Sequence, residues 1–242
     1  MQENRTGLID LHLHAVPGID DGVKDVRQSL EMLEGLSKLG FSHLVTTPHR
    51  DFSRWAYSES ECDTAYGEVL AALEENNIDL ELGLGAEYTY GEQFQDEVSS
   101  GEAKTLGATN CLLLELPEKQ MPDTVLTALF QTRLKGYEVI LAHPERCRVF
   151  HGKPEKLAQL ASGRALVQVS FRSLAGTFGR TIKKTAWALI EDEIADLVAT
   201  DCHSPREIKK IVVPVLKALR ERLPAYRFRE IMTDFPARLL NL

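Results

Sequence analysis

Five of the seven histidines of this chain, and at least four of its carboxylates, sit where an apolar run gives way to a loop. The stretch IDLHLHAVPGIDDGV, residues 9–23, sets His12 and His14 two apart, so that on a strand both imidazoles face the same side; Asp20 and Asp21 follow. The placement recurs along the chain. TTPH supplies His49, GAEY supplies Glu87, LLLELP supplies Glu115, LAHPER supplies His143 and Arg146, and ATDCHS supplies Asp201 and His203. Taken singly, each has an ordinary structural reading: a hydrogen-bonded His at a strand end, a buried Glu paired with Arg, an Asp-Asp-Gly turn. Five of the seven histidines share the pattern, however, and one common cluster explains that better than several separate roles. His and carboxylate without Cys suit Mn, Zn or Fe(II) better than Mg or Ca. About nine ligands exceed the needs of one ion, which implies two or three divalent ions. His43 and His151 fall outside the set and read as structural or exposed.

A cluster of this kind needs elements whose ends converge. Short Leu/Val/Ile-rich runs at 8–13, 43–46, 80–84, 111–116, 138–141, 166–169 and 195–199 predict seven strands. Between them, apolar residues recur at helical spacing over 26–39, 59–76, 123–135, 154–162, 181–191 and 205–223, with a last helix over 226–240 interrupted or ended near Pro236. Gly40 and Gly136 are expected helix stops. Alternating β and α units predict a parallel (β/α) barrel, and in that architecture functional groups gather at the C-terminal ends of the strands. Every candidate ligand lies there. The predicted sixth strand, LVQVS, alone ends without an obvious ligand. A chain of 242 residues with no internal repeat or linker reads as one domain spanning 1–242.

Composition removes several functions. A formal charge of −8 argues against nucleic acid as a partner. No apolar run approaches the roughly 20 residues of a membrane helix, and the start MQENRTG lacks the apolar region of a secretory leader, so membrane insertion is not expected and the location reads as cytoplasmic. Cys62, Cys111, Cys147 and Cys202 are widely spaced and none has Arg six positions on, which excludes a disulfide framework and the loop of cysteine-dependent phosphatases.

The motifs HLH, DDG, TPH, GAE, ELP, AHPER and TDCHS, in this order, resemble the polymerase and histidinol phosphatase (PHP) superfamily, and within it the CpsB-type bacterial tyrosine-protein phosphatases of capsule and exopolysaccharide loci. The resemblance covers residues 9–240. It implies an α/β fold, a distorted (β/α)7 TIM-like barrel, and a site with three metal ions, commonly Mn2+. By that resemblance His12, His14, Glu87 and Asp201 hold the first ion, Glu87 bridges to a second completed by Glu115 and His143, and Asp21, His49 and His203 hold the third. Arg146 matches an arginine that contacts substrate phosphate, and Arg206 sits where another is expected. Glu115, where the histidinol phosphatase and polymerase branches resemble His, points to the tyrosine phosphatase branch. Cys147 departs from the pattern, which has a larger residue there, and the TDCHSPRE loop is short.

The implied activity is hydrolysis of phosphotyrosine by a hydroxide that bridges two ions, with Arg146 on the phosphoryl oxygens. A phenol of pKa about 10 is a better leaving group than an alcohol, and the aromatic and basic stretch 50–60 is a candidate rim for the longer phosphotyrosine side chain. The implied partner is a bacterial tyrosine autokinase that controls polysaccharide export. Two other readings stand beside this one: a small-molecule phosphomonoesterase of the histidinol phosphatase kind, and a non-catalytic metal-binding regulatory module.

Overall fold

In the computed structural model, which describes residues 7–242, strands and helices alternate from one end to the other; residues 1–6, most of the stretch read above for a leader, lie outside the described residues. The strands are β1 (Leu8–Leu13), β2 (Phe41–Thr46), β3 (His49–Arg50), β4 (Glu81–Leu84), β5 (Glu87–Thr89), β6 (Cys111–Glu115), β7 (Glu138–Ala142), β8 (Leu166–Ser170) and β9 (Leu197–Ala199). All pair in parallel, in the orders β1-β2-β4 and β3-β5-β6-β7-β8-β9. Closure comes from a parallel bridge between Leu13 and Cys202, where His14 N–H donates to the Cys202 carbonyl at 2.9 Å and Asp201 N–H to that of His12 at 2.9 Å.

The nine segments occupy seven strand positions. The predicted second strand, 43–46, lies within β2, and the unpredicted β3 follows after an interruption at Thr47-Pro48, where Pro48 has no N–H to give a ladder. The predicted third, 80–84, corresponds to β4, and the unpredicted β5 follows after an interruption at Gly85-Ala86; a Cβ at Gly85 would lie 2.7 Å from Leu106 Cδ2, so the close approach of the Leu106 segment requires glycine. Those two jogs distort the barrel, and they let His49 and Glu87 pair side by side in register past the breaks.

Period-2 alternation splits the buried residues into two sets. Leu112, Leu114, Val139, Leu141, Val167 and Val169 pack outward with helix residues Met32, Leu36, Leu129, Leu157 and Leu189. Leu113, Ile140, Ala142 and Leu197 form a smaller inner cluster, flanked by Phe235 and Leu239 of the C-terminal helix. Glu115 continues the inward face of β6, which explains a carboxylate at the end of an apolar run.

Helices 26–38, 59–75, 125–134, 154–161 and 180–191 match expectation to within a few residues. The helix Glu92–Ser100 was not predicted: its only buried apolar residues, Phe94 and Val98, form a single i, i+4 pair. The expected helices over 205–223 and 226–240 each contain a π segment, Ile208–Val212 and Glu230–Asp234, immediately before the turn that carries Pro214 or Pro236. A proline leaves the carbonyl four residues back without its donor, and widening the helix locally absorbs the defect without ending it. Among the described residues, no helix is long and apolar enough to cross a membrane.

Candidate metal centre

Glu87 is the centre of the cluster. Its Oε2 lies 3.2 Å from His12 Nε2, 3.5 Å from His14 Nε2 and 3.1 Å from His49 Nδ1, while Oε1 is 2.8 Å from His143 Nε2. Asp201 Oδ1 approaches His12 Nε2 at 3.7 Å and His203 Nδ1 at 3.5 Å, and Asp21 Oδ1 is 3.4 Å from both His49 Nε2 and His203 Nε2. Potential ligand atoms fall within 4.8 Å of one another in three overlapping groups: His14, Asp21, His49 and His203; His12, His14 and Glu87; His49, Glu87 and Glu115. The nine side chains singled out as ligands by sequence therefore stand together. The grouping differs from the expected one: His14 joins the Asp21 group as well as that of Glu87, His49 joins Glu87 and Glu115 as well as Asp21, and His143 and Asp201 fall in none of the three groups, approaching Glu87 and His12 instead.

The surrounding bonds decide which nitrogens face the centre. Gln168 Oε1 is 2.8 Å from His12 Nδ1 and Asp20 Oδ2 is 2.7 Å from His14 Nδ1. An acceptor at Nδ1 fixes the proton there and leaves Nε2 as a lone pair. The two Nε2 atoms nevertheless face each other at 3.3 Å, with Glu87 Oε2 beside them, buried and without a hydrogen-bond donor among the described residues. Three converging acceptors in a site closed to water need a cation. Divalent metal fits this donor set.

The electrostatics say the same of the metal-free protein. Burial alone would depress the His12 imidazole, but Glu87 and Asp201 beside it raise its pKa to about 10; His49, also opposed by burial, is raised by Glu87, Asp21 and Asp20 to about 9. The partner carboxylates Glu87, Asp201 and Asp21 are held below the usual range by the same histidines, against the cost of burial. The pocket draws in positive charge, as protons when no metal is bound.

Local structure holds the ligands in place. DDG is a turn, as its composition suggests, and also a clasp: Asp20 accepts from Gly22 N–H and His49 N–H, both at 2.9 Å, in addition to His14. Gly22 packs so closely that a Cβ would lie 2.5 Å from the His14 carbonyl oxygen. His143 and Asp201 adopt left-handed φ values of 33° and 52°, backbone strain of the kind that collects at functional sites. Ser170 Oγ donates to Asp201 Oδ2 at 3.0 Å, and the fully buried Glu145 accepts from Ser170 N–H at 2.9 Å. LVQVS thus contributes Gln168 and Ser170, both missed from sequence; a Gln inside a buried strand was the available signal.

Two arginines border the centre. Arg146 Nε donates to Glu118 at 2.7 Å and Nη1 is 3.8 Å from Glu115. Arg206 is exposed and makes no ion pair among the described residues. Arg172 is the arginine beside the cluster, with Nη1 3.1 Å from His203 Nδ1 and 4.0 Å from Asp201. The Phe178 ring lies under both guanidiniums, 4.6 Å from Arg146 and 5.3 Å from Arg172. On the other flank Trp55 stacks on His49 at 5.9 Å between ring centroids, and Tyr57 Oη donates to the His49 carbonyl at 2.7 Å. Arg50 is turned away into ion pairs with Glu59 and Glu97. The four cysteines are buried and unpaired; His43 contacts only its neighbour Ser42 and His151 the Glu145 carbonyl, both outside the cluster.

With this geometry in view, the family described as capsular polysaccharide synthesis, CpsB/CapC, matches residues 8–241. The chain belongs to this family. Among CpsB/CapC relatives, the tyrosine-protein phosphatase YwqE of Bacillus subtilis is 31% identical over 198 residues, covering 81% of this chain and 78% of YwqE. CapC of Staphylococcus aureus is 28% identical over 224 residues, 90% of this chain and 88% of CapC. A solved structure from work on YwqE and on CpsB of Streptococcus pneumoniae, described as metal-dependent tyrosine phosphatases, superposes with a TM-score of 0.85 at 26% identity, over 97% of this chain and 95% of the other.

Proposed function

We propose that this CpsB/CapC chain is a metal-dependent protein-tyrosine phosphatase, its described residues acting as one catalytic domain. The observation that carries the reading is the convergence of His12 Nε2, His14 Nε2 and the unpartnered Glu87 Oε2 on one buried point, in a chain related to tyrosine phosphatases. His12, His14, Asp21, His49, Glu87, Glu115, His143, Asp201 and His203 would hold two or three divalent ions, Mn2+ by preference, with Zn2+ or Fe2+ compatible with the same donors. When bound, such ions supply Lewis acidity, lowering the pKa of water and neutralising phosphoryl charge.

The chain's own groups do the rest. Gln168 and Asp20 keep His12 and His14 in the tautomer that presents Nε2. Arg146 and Arg172, steadied on Phe178, would clamp phosphoryl oxygens from one side, with the exposed Arg206 a further candidate for the same anion. Trp55, stacked on His49, offers an aromatic wall for the tyrosyl ring. Phenolate needs little protonation to depart, in keeping with a pocket rich in bases and poor in acids. The substrate is a phosphotyrosine protein, in this reading a bacterial tyrosine autokinase of capsule or exopolysaccharide synthesis, and the site of action is the cytoplasm, where four unpaired cysteines remain reduced.

The test is phosphate release with Mn2+ from a phosphotyrosine peptide, a phosphoserine peptide and histidinol phosphate. Chelator-sensitive release from phosphotyrosine alone is expected. Preference for histidinol phosphate would refute the protein-phosphatase reading, and inertness toward all three would refute the enzyme.

A further inference from the structure

We propose that the groove between the first turns of helices Pro154–Ala161 and Arg180–Glu191 docks an anionic segment of the substrate chain that flanks the phosphotyrosine. The groove holds about 510 Å³ and is lined by His151, Pro154, Arg180, Thr181, Lys184 and Ala188 among others, with no acidic residue in its wall. Arg50, Lys104 and Arg146 are tied to carboxylates, whereas the exposed Arg180 and Lys184 make no ion pair among the described residues. On a chain of net charge −8, a recess walled by two such cations and by no carboxylate favours an anion.

Its position ties it to the phosphotyrosine site. Helix Arg180–Glu191 packs against the turn Pro144–Arg146, and Arg180 follows by two residues the Phe178 ring on which Arg146 and Arg172 rest. Two residues span at most about 7 Å. In the proposed pose the substrate chain leaves the metal centre past Phe178 and lays side chains flanking the phosphotyrosine over the groove. His151, held to the Glu145 carbonyl at 3.1 Å, fixes the opposite wall. Gly179 caps the helix without a side chain, which leaves its first N–H groups open to the same anion. The chemistry recognised is negative charge on an extended peptide, carried by carboxylate side chains.

This inference rests on the phosphatase reading, and the test separates the two. Labelled peptides bearing a non-hydrolysable phosphonate in place of phosphotyrosine, with neutral, glutamate or second-phosphotyrosine flanks, are bound to the Mn2+-loaded protein and followed by fluorescence anisotropy; turnover of a small aryl phosphate is measured in parallel. Anionic flanks should tighten binding about five- to tenfold, with an advantage that shrinks as salt rises. The double variant Arg180→Ala/Lys184→Ala should reduce that advantage to within twofold while leaving neutral-flank binding and aryl phosphate turnover unchanged. A response to glutamate flanks is expected, and a response to second-phosphotyrosine flanks alone would overturn the assignment of a carboxylate-rich segment. Equal binding of all flanks by the native protein, or equal weakening of neutral and anionic peptides by the double variant, overturns the proposal. Flank-dependent binding without any phosphotyrosine hydrolysis would sink the phosphatase reading and leave the groove standing.

Discussion

Replacing Asp20 by Asn tests the tautomer argument without changing the volume of the clasp. Asp20 is buried, and although burial opposes its charge, His14 and His49 hold its pKa down to about 2, so it is a carboxylate at any working pH. Both its oxygens accept, Oδ1 from Gly22 N–H and Oδ2 from His49 N–H and His14 Nδ1–H. An amide has one accepting oxygen. If that oxygen serves Gly22, the NH2 group faces His14 and donates to Nδ1, which moves the imidazole proton to Nε2 and removes the lone pair aimed at the metal. Losing such a support costs about 10- to 100-fold in metal affinity, or about 1.4–2.7 kcal/mol. Competition for Mn2+ against a fluorescent chelator measures it directly. Asp20→Ala, which leaves His14 free to choose its tautomer but unsupported, should be impaired less than or equally to Asp20→Asn. Asp20→Asn binding Mn2+ within twofold of the native protein would refute the claim that this carboxylate sets the His14 tautomer.

Three further outcomes follow from the same geometry. The raised pKa values of His12, about 10, and His49, about 9, mean that the metal-free protein carries both protons at pH 7.5, and Asp20 raises that of His14 as well against the cost of burial; calorimetry in buffers of different ionisation enthalpy should find at least two protons released per chain on metal binding, and apparent affinity should rise with pH. By the same sign, the stability these charged histidines give the metal-free fold is complete below about pH 6.5 and is lost as pH climbs through 9 and then 10, visible as a falling melting temperature in chelator. Gly22→Ala forces a Cβ onto His14 and should cost about 1–3 kcal/mol in urea unfolding together with weaker metal binding. Phe178→Ala removes the platform beneath Arg146 and Arg172 and should raise KM for phosphotyrosine several-fold with Mn2+ affinity unchanged, measured by steady-state kinetics beside metal titration.

The barrel was legible because its strands alternate with amphipathic helices, and the candidate ligands because, Asp21 apart, they lie where apolar runs end: Glu115 continues the inward face of Leu113, and a carboxylate there has no packing rationale. What supports those ligands was not legible. Asp20 and Asp21 are adjacent and alike in sequence, yet one turns inward to His14 and the other faces His49 and His203, a choice made by the turn at Gly22. Gln168 was hidden in a strand judged to lack a ligand because its role is to orient another residue's ring. Arg172 and Arg206 were indistinguishable as single cations, and only the short helix Phe171–Ala175 following β8 brings the former beside His203. The strand break at Gly85 depends on a neighbour distant in sequence, Leu106.

The most direct test of the account is to titrate metal-free protein with Mn2+ while following phosphotyrosine hydrolysis, native chain against Glu87→Gln. The account predicts that hydrolysis appears in step with uptake of two or three ions and that Glu87→Gln loses both uptake and hydrolysis, because four imidazoles converge on that carboxylate. Hydrolysis by the fully chelated native protein, or by Glu87→Gln at the native rate, would contradict it.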